Sequence, residues 1–154
     1  MRALIATDGS PASIEAARRA AEVLRGDAEL VLVTVVGPVD GPEADAGGFE
    51  GPLLGPDEAR DLQRAAVVEA HAALAATAQV LGPAPVTQRV VEGSAGPAIC
   101  SLATEIDADV VVVGNSGKGP LARALLGSVS SYVVHHCGRP VLVVPDAALR
   151  HLDY

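Results

Sequence analysis

Residues 114–128 read GNSGKGPLARALLGS and follow the solid apolar run Val110-Val111-Val112-Val113. Four β-branched residues in a row suit a strand covered on both faces. Residues 129–136 (VSSYVVHH) then read as a helix, so the glycines and serines of the stretch sit between a buried strand and a helix start. Such a junction favours an anion: glycine lets backbone approach closely, and free N–H groups at a helix N-terminus point outward. Gly114 and Gly117 are placed to line one side of a phosphate chain, and Gly127 with Ser128 to close the other. Lys118 falls inside the stretch and is the only lysine in the chain.

The same alternation of strand and helix runs through the remaining residues. Residues 2–7 (RALIAT) form a short apolar run, ended by Asp8-Gly9-Ser10-Pro11. Serine followed by proline is a good helix start. The helix that follows is expected to bury Ile14, Ala17, Ala21 and Leu24 and to end at Gly26. Residues 29–36 (ELVLVTVV) read as a second buried strand, completing a βαβ unit with a right-handed crossover. Residues 37–57 are rich in Gly, Pro and acidic side chains and have no period. Aperiodic segments this long are uncommon inside compact domains, so this one reads as a mobile surface loop or as a lid near a ligand. Residues 57–81 form an alanine-rich helix stopped by Gly82-Pro83, and residues 86–91 a third strand. Ile99, Leu102, Ala103 and Ile106 share one face of a third helix. The fourth strand is expected at residues 109–113, a short helical segment at 120–126, and a fourth main helix burying Val129, Tyr132, Val133 and His136. Residues 141–144 form the fifth strand, and a polar tail runs to Tyr154.

Alternating strands and helices imply an α/β fold, a three-layer α/β/α sandwich with a five-stranded parallel sheet. A chain of 154 residues is read as one domain spanning residues 1–146, with 147–154 as a tail. Ligands in such folds sit beyond the carboxyl ends of strands, where strand order reverses. The loops after strands one, three and four all lie at that end.

The spacing Gly114-x2-Gly117-x9-Gly127-Ser128 resembles the nucleotide-binding signature of the universal stress protein family, in its ATP-binding subgroup. The resemblance extends to ATDGSPAS (6–13), VVEGSAGPAI (90–99), DADVVVVG (107–114) and GRPVLVVP (138–145), in that order. It implies strand order 3-2-1-4-5, the Rossmann-like arrangement of adenine-nucleotide α-hydrolase-like folds. It also implies ATP as ligand, an aspartate at the nucleotide matching Asp8, a backbone contact to adenine matching Val35, and a homodimer paired through residues 141–144. The residues alone give an anion-friendly strand–loop–helix. An apolar edge strand before a proline stop independently invites pairing.

Composition narrows the partners. The net charge of −8 and the absence of a basic run disfavour nucleic acid and membrane surfaces. No apolar stretch approaches the roughly 18–20 residues of a membrane span, and the N-terminus enters a strand directly, so a cytoplasmic protein is expected. Cys100 and Cys137 lack metal spacing and read as small buried or half-buried hydrophobes. In His135-His136-Cys137, adjacent helix positions point about 100° apart, which argues against a metal cluster.

Each remaining candidate has a plain structural reading beside the functional one. Asp8 is either a turn aspartate or a carboxylate that accepts ribose hydroxyls or holds Mg2+ through oxygen. Gly93 is either a strand-to-helix turn or room for a sugar or base. Ser116 offers a hydroxyl to a phosphate, while Lys118 and Arg123 are either phosphate charges or solvated. A Walker loop fails, because Val112 stands where its first glycine belongs and Gly119 where its Ser or Thr belongs. No GxSxG elbow occurs and no base flanks the glycines, so binding is expected, with hydrolysis slow or absent. Three functions stay open: a nucleotide-dependent stress-response protein, a nucleotide-free dimeric interaction module, and a slow ATPase.

Overall fold

A computed structural model describes residues 1–24, 26–38, 55–83, 85–115 and 127–145. Five strands and four helices alternate: β1 (Arg2–Ala6), α1 (Pro11–Val23), β2 (Glu29–Val36), α2 (Pro56–Val80), β3 (Val86–Glu92), α3 (Ala95–Glu105), β4 (Val110–Gly114), α4 (Ser128–His136) and β5 (Val141–Val144). All strand pairs are parallel and the order is β3-β2-β1-β4-β5, as the family resemblance implied. No helix among the described residues is long and apolar enough to cross a membrane.

Local chemistry sets the helix ends. At α1, the Ser10 hydroxyl accepts the Ser13 N–H at 3.2 Å and Pro11 occupies the first turn. At α2, Glu58 Oε2 accepts the Gly55 N–H at 3.1 Å, and Asp57 and Glu58 face the positive helix end. Because α2 begins at Pro56, the last two residues of the expected 37–57 loop belong to the helix; residues 39–54 lie outside the described residues. Helix α2 stops at Leu81, before Gly82 in the left-handed region at φ 82°. The expected segment 120–126 and the tail from 146 onward also lie outside the described residues.

Period-two alternation divides the core between the two sheet faces. Leu4, Val31, Val33, Val111 and Val113 pack with Ile99, Leu102 and Ala103 of α3 and Val133 of α4. Ala3, Ile5, Leu30, Leu32 and Val112 pack on the other face with Ala16, Ala17 and Ala20 of α1 and Leu74 of α2.

Two helix faces differ from the sequence expectation. In α1 the buried stripe is Ser13, Ala16, Ala17 and Ala20, rotated away from Ile14 and Ala21, and the helix ends at Leu24 instead of Gly26. Small residues bring α1 close to the sheet, and the Ser13 hydroxyl goes inside because it finds buried partners there. In α4 the buried residues are Ser130 and Val133, continued by Cys137 at the helix end. Val129, Tyr132 and His136 are exposed. Tyr132 instead lies against α3, where a Cβ added to Gly96 would meet its ring at 2.5 Å and its Cβ at 2.9 Å.

That contact reverses the usual sign of a helical glycine replacement. Gly→Ala inside a helix ordinarily stabilises by about 0.5–1 kcal/mol, whereas overpacking costs about 1–3 kcal/mol. Gly96→Ala is expected to destabilise by about 1–2 kcal/mol in urea unfolding. Gly26→Ala, with nothing within 4 Å of its Cβ, should change stability by less than about 0.5 kcal/mol.

Candidate functional site

The cleft arises where β1 parts from β4. The β1–β4 ladder ends at Ile5 opposite Val112, whereas β1 follows β2 to Ala6 opposite Val33, and the Thr7 N–H still reaches Val33 O at 2.9 Å. Beyond Ile5 the central strand thus leans with β2, and a cavity of about 150 Å³ opens at the carboxyl end of the sheet. Ordinary small-molecule sites span roughly 300–1,000 Å³, so the described residues enclose space for a fragment of a nucleotide. Val33, Val35, Ile99, Val113 and Val129 give it apolar walls, and Thr7, Asp8, Ser13 and Thr34 supply the polar side. Asp8 is the only ionisable side chain among the described lining residues.

The polar side is built on a turn that folds over itself. Asp8 Oδ1 accepts the Ser10 N–H at 3.0 Å, Thr7 Oγ1 accepts the Gly9 N–H at 3.2 Å, and Ser13 Oγ accepts the Asp8 N–H at 3.3 Å. Gly9 is doubly required: its φ is 76°, and a Cβ there would stand 2.6 Å from the Ala73 Cβ of α2. Beneath the turn, Thr7 Oγ1 lies 3.0 Å from Ser13 Oγ and 2.9 Å from Thr77 Oγ1, while the Thr34 hydroxyl donates to Thr7 O at 2.8 Å. Thr7, Ser13, Thr34 and Thr77 are all buried, and no buried side-chain polar atom among the described residues lacks a partner.

The structure groups some sequence candidates and leaves others apart. Asp8, Val35 and Gly114 line the cavity. A Cβ on Gly114 would meet Ala16 Cβ at 3.5 Å and Ser13 Cα at 4.0 Å, both ordinary contacts, so packing alone does not demand glycine there. Gly93 is not among the lining residues; its φ of 129° and its N–H bonded to Val36 O at 3.0 Å account for glycine through backbone geometry. Gly127 caps α4 and Ser128 opens it, with Val129 at the cavity wall. The Gly127 N–H donates to Asn115 Oδ1 at 3.3 Å, a clasp between the end of β4 and the start of α4. Ser116, Gly117, Lys118 and Arg123 lie outside the described residues.

Sequence reasoning passed over Thr7, Ser13, Thr34, Thr77 and Asn115. A usable signal was present: Thr34 interrupts an otherwise apolar strand, and Thr77 stands alone in an alanine-rich helix. A hydroxyl at a position the period assigns to the core needs a partner, and several such positions together imply a network.

The two thiols and His136 find partners within the fold. Burial pushes the Cys137 thiol up to about 12, helped by its hydrogen bond with Cys100. His136 Nδ1 lies 2.9 Å from Tyr132 O, and its ring stacks on Tyr132 at 4.2 Å. No group of three metal-ligating side chains occurs among the described residues.

Two opposing effects act on Asp8. Desolvation raises its pKa, but the Ser10 hydroxyl and N–H, then the Ser13 hydroxyl, favour the carboxylate and hold it below the usual value of 3.8. A depressed carboxylate contributes stability fully above its unfolded value and loses it as pH falls through the folded value. Carbon-detected NMR should therefore place the Asp8 midpoint below 3.8, and Asp8→Asn should flatten the acid limb of the stability curve. A midpoint above that value would contradict the turn geometry.

Comparison with known proteins agrees with this architecture. The Universal stress protein family profile matches residues 1–145. Universal stress protein Rv1636 of Mycobacterium tuberculosis is 32% identical over 141 residues, covering 92% of this chain and 93% of that protein. A crystal structure of a universal stress protein in complex with cAMP is 28% identical, with a TM-score of 0.62 over 94% of this chain and 96% of that one. Universal stress protein UspA from Lactobacillus plantarum is 25% identical, with a TM-score of 0.70 over 94% and 97%. The chain belongs to the universal stress protein family.

Proposed function

We propose that this protein binds an adenine nucleotide, ATP in the first instance, in the cleft between the ends of β1 and β4. The observation that carries the reading is the meeting of Asp8, Val35 and Gly114 around one cavity at the point where strand order reverses. An apolar slot beside an ionised carboxylate suits a base joined to a hydroxylated sugar. In this reading the Val35 backbone meets adenine and Asp8 accepts the ribose hydroxyls. Gly114, Ser116, Gly117, Lys118, Gly127 and Ser128 hold the phosphates, with Gly93 bordering the sugar. One carboxylate is a poor Mg2+ cage by itself, which suits a Mg2+ carried mainly by the phosphates and steadied by Asp8. The nucleotide then acts as a regulatory ligand in a stress response. Binding without turnover fits a cleft whose only described ionisable group is a carboxylate already held by its own turn.

The cAMP complex of a relative favours a second reading, in which a cyclic monophosphate fills the cleft. Calorimetric titration with ATP, AMP and cAMP, each with and without Mg2+, separates the two. The expected result is ATP binding that Mg2+ strengthens and that Asp8→Asn weakens by about ten- to a hundredfold, one charge-assisted hydrogen bond being worth roughly 1.5–3 kcal/mol. Gly127→Val should abolish it. Failure of every nucleotide at millimolar concentration would reject the reading and leave the nucleotide-free interaction module.

We further propose a homodimer through β5. The sheet has two edges, and they differ. Strand β3 exposes Thr87, Gln88 and Arg89, with Arg89 Nη2 paired to Glu105 at 2.9 Å, whereas β5 presents Val141, Leu142 and Val143 half-buried. Charged edges resist strand addition and apolar ones invite it. Light scattering at micromolar concentration should give twice the chain mass; a monomer mass would remove the proposal.

A further inference from the structure

The hydroxyl chain under the β1–α1 turn runs on into a helix that lines none of the described cleft. Thr77 belongs to α2, is fully buried at 0% exposure, and lies 2.9 Å from Thr7 Oγ1. Thr7 in turn accepts the Gly9 N–H and lies 3.0 Å from Ser13 Oγ, the acceptor of the Asp8 N–H. Every amide of the turn that meets this chain is therefore tied, through Thr7, to α2. The turn also rests directly on the same helix, since Gly9 packs against Ala73 one turn before Thr77. Among these contacts, the Thr7–Thr77 bond is the polar one that joins α2 to the turn.

Proton counting shows what this link does. Thr7, Ser13 and Thr77 carry three hydroxyl protons between them. They face five contacts that need one: Thr7–Ser13, Thr7–Thr77, Ser13 to Ser10 O at 3.0 Å, Ser13 to the Asp8 carboxylate, and Thr77 to Ala73 O at 2.8 Å. At most three are made at once. With both hydroxyl–hydroxyl bonds kept, the chain points either from α2 toward α1 or from α1 toward α2. The unserved carbonyl loses little, because Ser10 O already accepts the Ile14 N–H and Ala73 O lies within α2. Removing the Thr77 hydroxyl leaves the Thr7 proton for Ser13 and the Ser13 proton for Ser10 O or the Asp8 carboxylate. Without Thr77 the remaining hydroxyl protons still find acceptors, so the turn can form, but Thr7 Oγ1 loses its hydrogen bond to α2 and is held from the α1 side alone.

We propose that Thr77 is a positioning residue of the ligand site: it fixes Thr7, and through Thr7 the turn that presents Asp8 to a bound nucleotide. This rests on the nucleotide reading of the cleft, which it deepens by adding a residue of α2 that makes no contact with the cavity. It also makes α2, the helix that follows residues 39–54, a structural partner of the site.

The test compares Thr77→Val, which keeps shape and removes the hydroxyl, with Thr77→Ser, which keeps the hydroxyl. Two readouts are taken: amide hydrogen exchange across the unliganded chain, and the Kd for ATP with Mg2+. In Thr77→Val, faster exchange confined to Asp8 and Gly9, with α3 unchanged, supports the proposal, as does ATP affinity weakened roughly three- to tenfold, the scale of one hydrogen bond. Thr77→Ser should restore both. A loss of protection spread over the whole sheet would indicate a packing role and overturn the proposal, as would unaltered turn exchange or unaltered ATP affinity. If the parent protein binds no ATP, the nucleotide reading fails by itself, and the exchange pattern still decides whether Thr77 sets the turn.

Discussion

Strand β1 has one neighbour it follows and one it leaves, and the site depends on that difference. Paired on both sides as far as Ile5, it is buried between two helical layers; past Ile5 it keeps only β2. Backbone that leaves a ladder inside a protein must find other partners or reach water. Here the Thr7 N–H stays with Val33 O, and the next amides turn to the Thr7 and Ser13 hydroxyls and to Asp8 itself. The cleft and its polar lining thus share one origin, the parting of two parallel strands.

The rest of the architecture keeps that parting rigid. Alternate residues of the strands lock α1 and α2 onto one face and α3 and α4 onto the other. Small side chains set the distances: alanines bring α1 against the sheet, and Gly96 lets Tyr132 seat α4 on α3. At the opposite end of the sheet, Arg2 pairs with Glu29 at 2.9 Å and the Asp109 carboxylate accepts the Arg2 N–H at 2.6 Å. Those exposed links contribute little energy singly, but they join β1, β2 and the start of β4 where the ladder is complete. The cleft lies at the carboxyl end, where ligand sites in open parallel sheets are found.

Much of the fold was legible because the period of the apolar residues is a direct record of burial. Val110 to Val113 and residues 29–36 can be little else than buried strands, and Ile99, Leu102 and Ala103 declare a helix face. Strand order was not legible from pattern; it came from the likeness of motifs to a family. The faces of α1 and α4 were misread for one reason. Apolar counting ranks Ile14 above Ser13 and Tyr132 above Ser130, yet a serine with buried partners or a small residue at a close crossing goes inside instead. At the site, Asp8 and Gly114 stood out by type and position, and Val35 through resemblance alone. Thr7, Ser13, Thr34 and Thr77 did not stand out, because a hydroxyl network is a property of three-dimensional proximity and joins residues 70 positions apart.

We propose that the crevice opened by β1 and β4 is a nucleotide site organised by the Asp8 turn. The most direct measurement is a crystal structure of the protein grown with ATP and Mg2+. Density is expected for the base against Val35 and for the ribose within hydrogen-bonding distance of the Asp8 carboxylate, with the turn unmoved. Nucleotide density elsewhere on the molecule, or a base in the crevice with Asp8 turned away from the sugar, would contradict it.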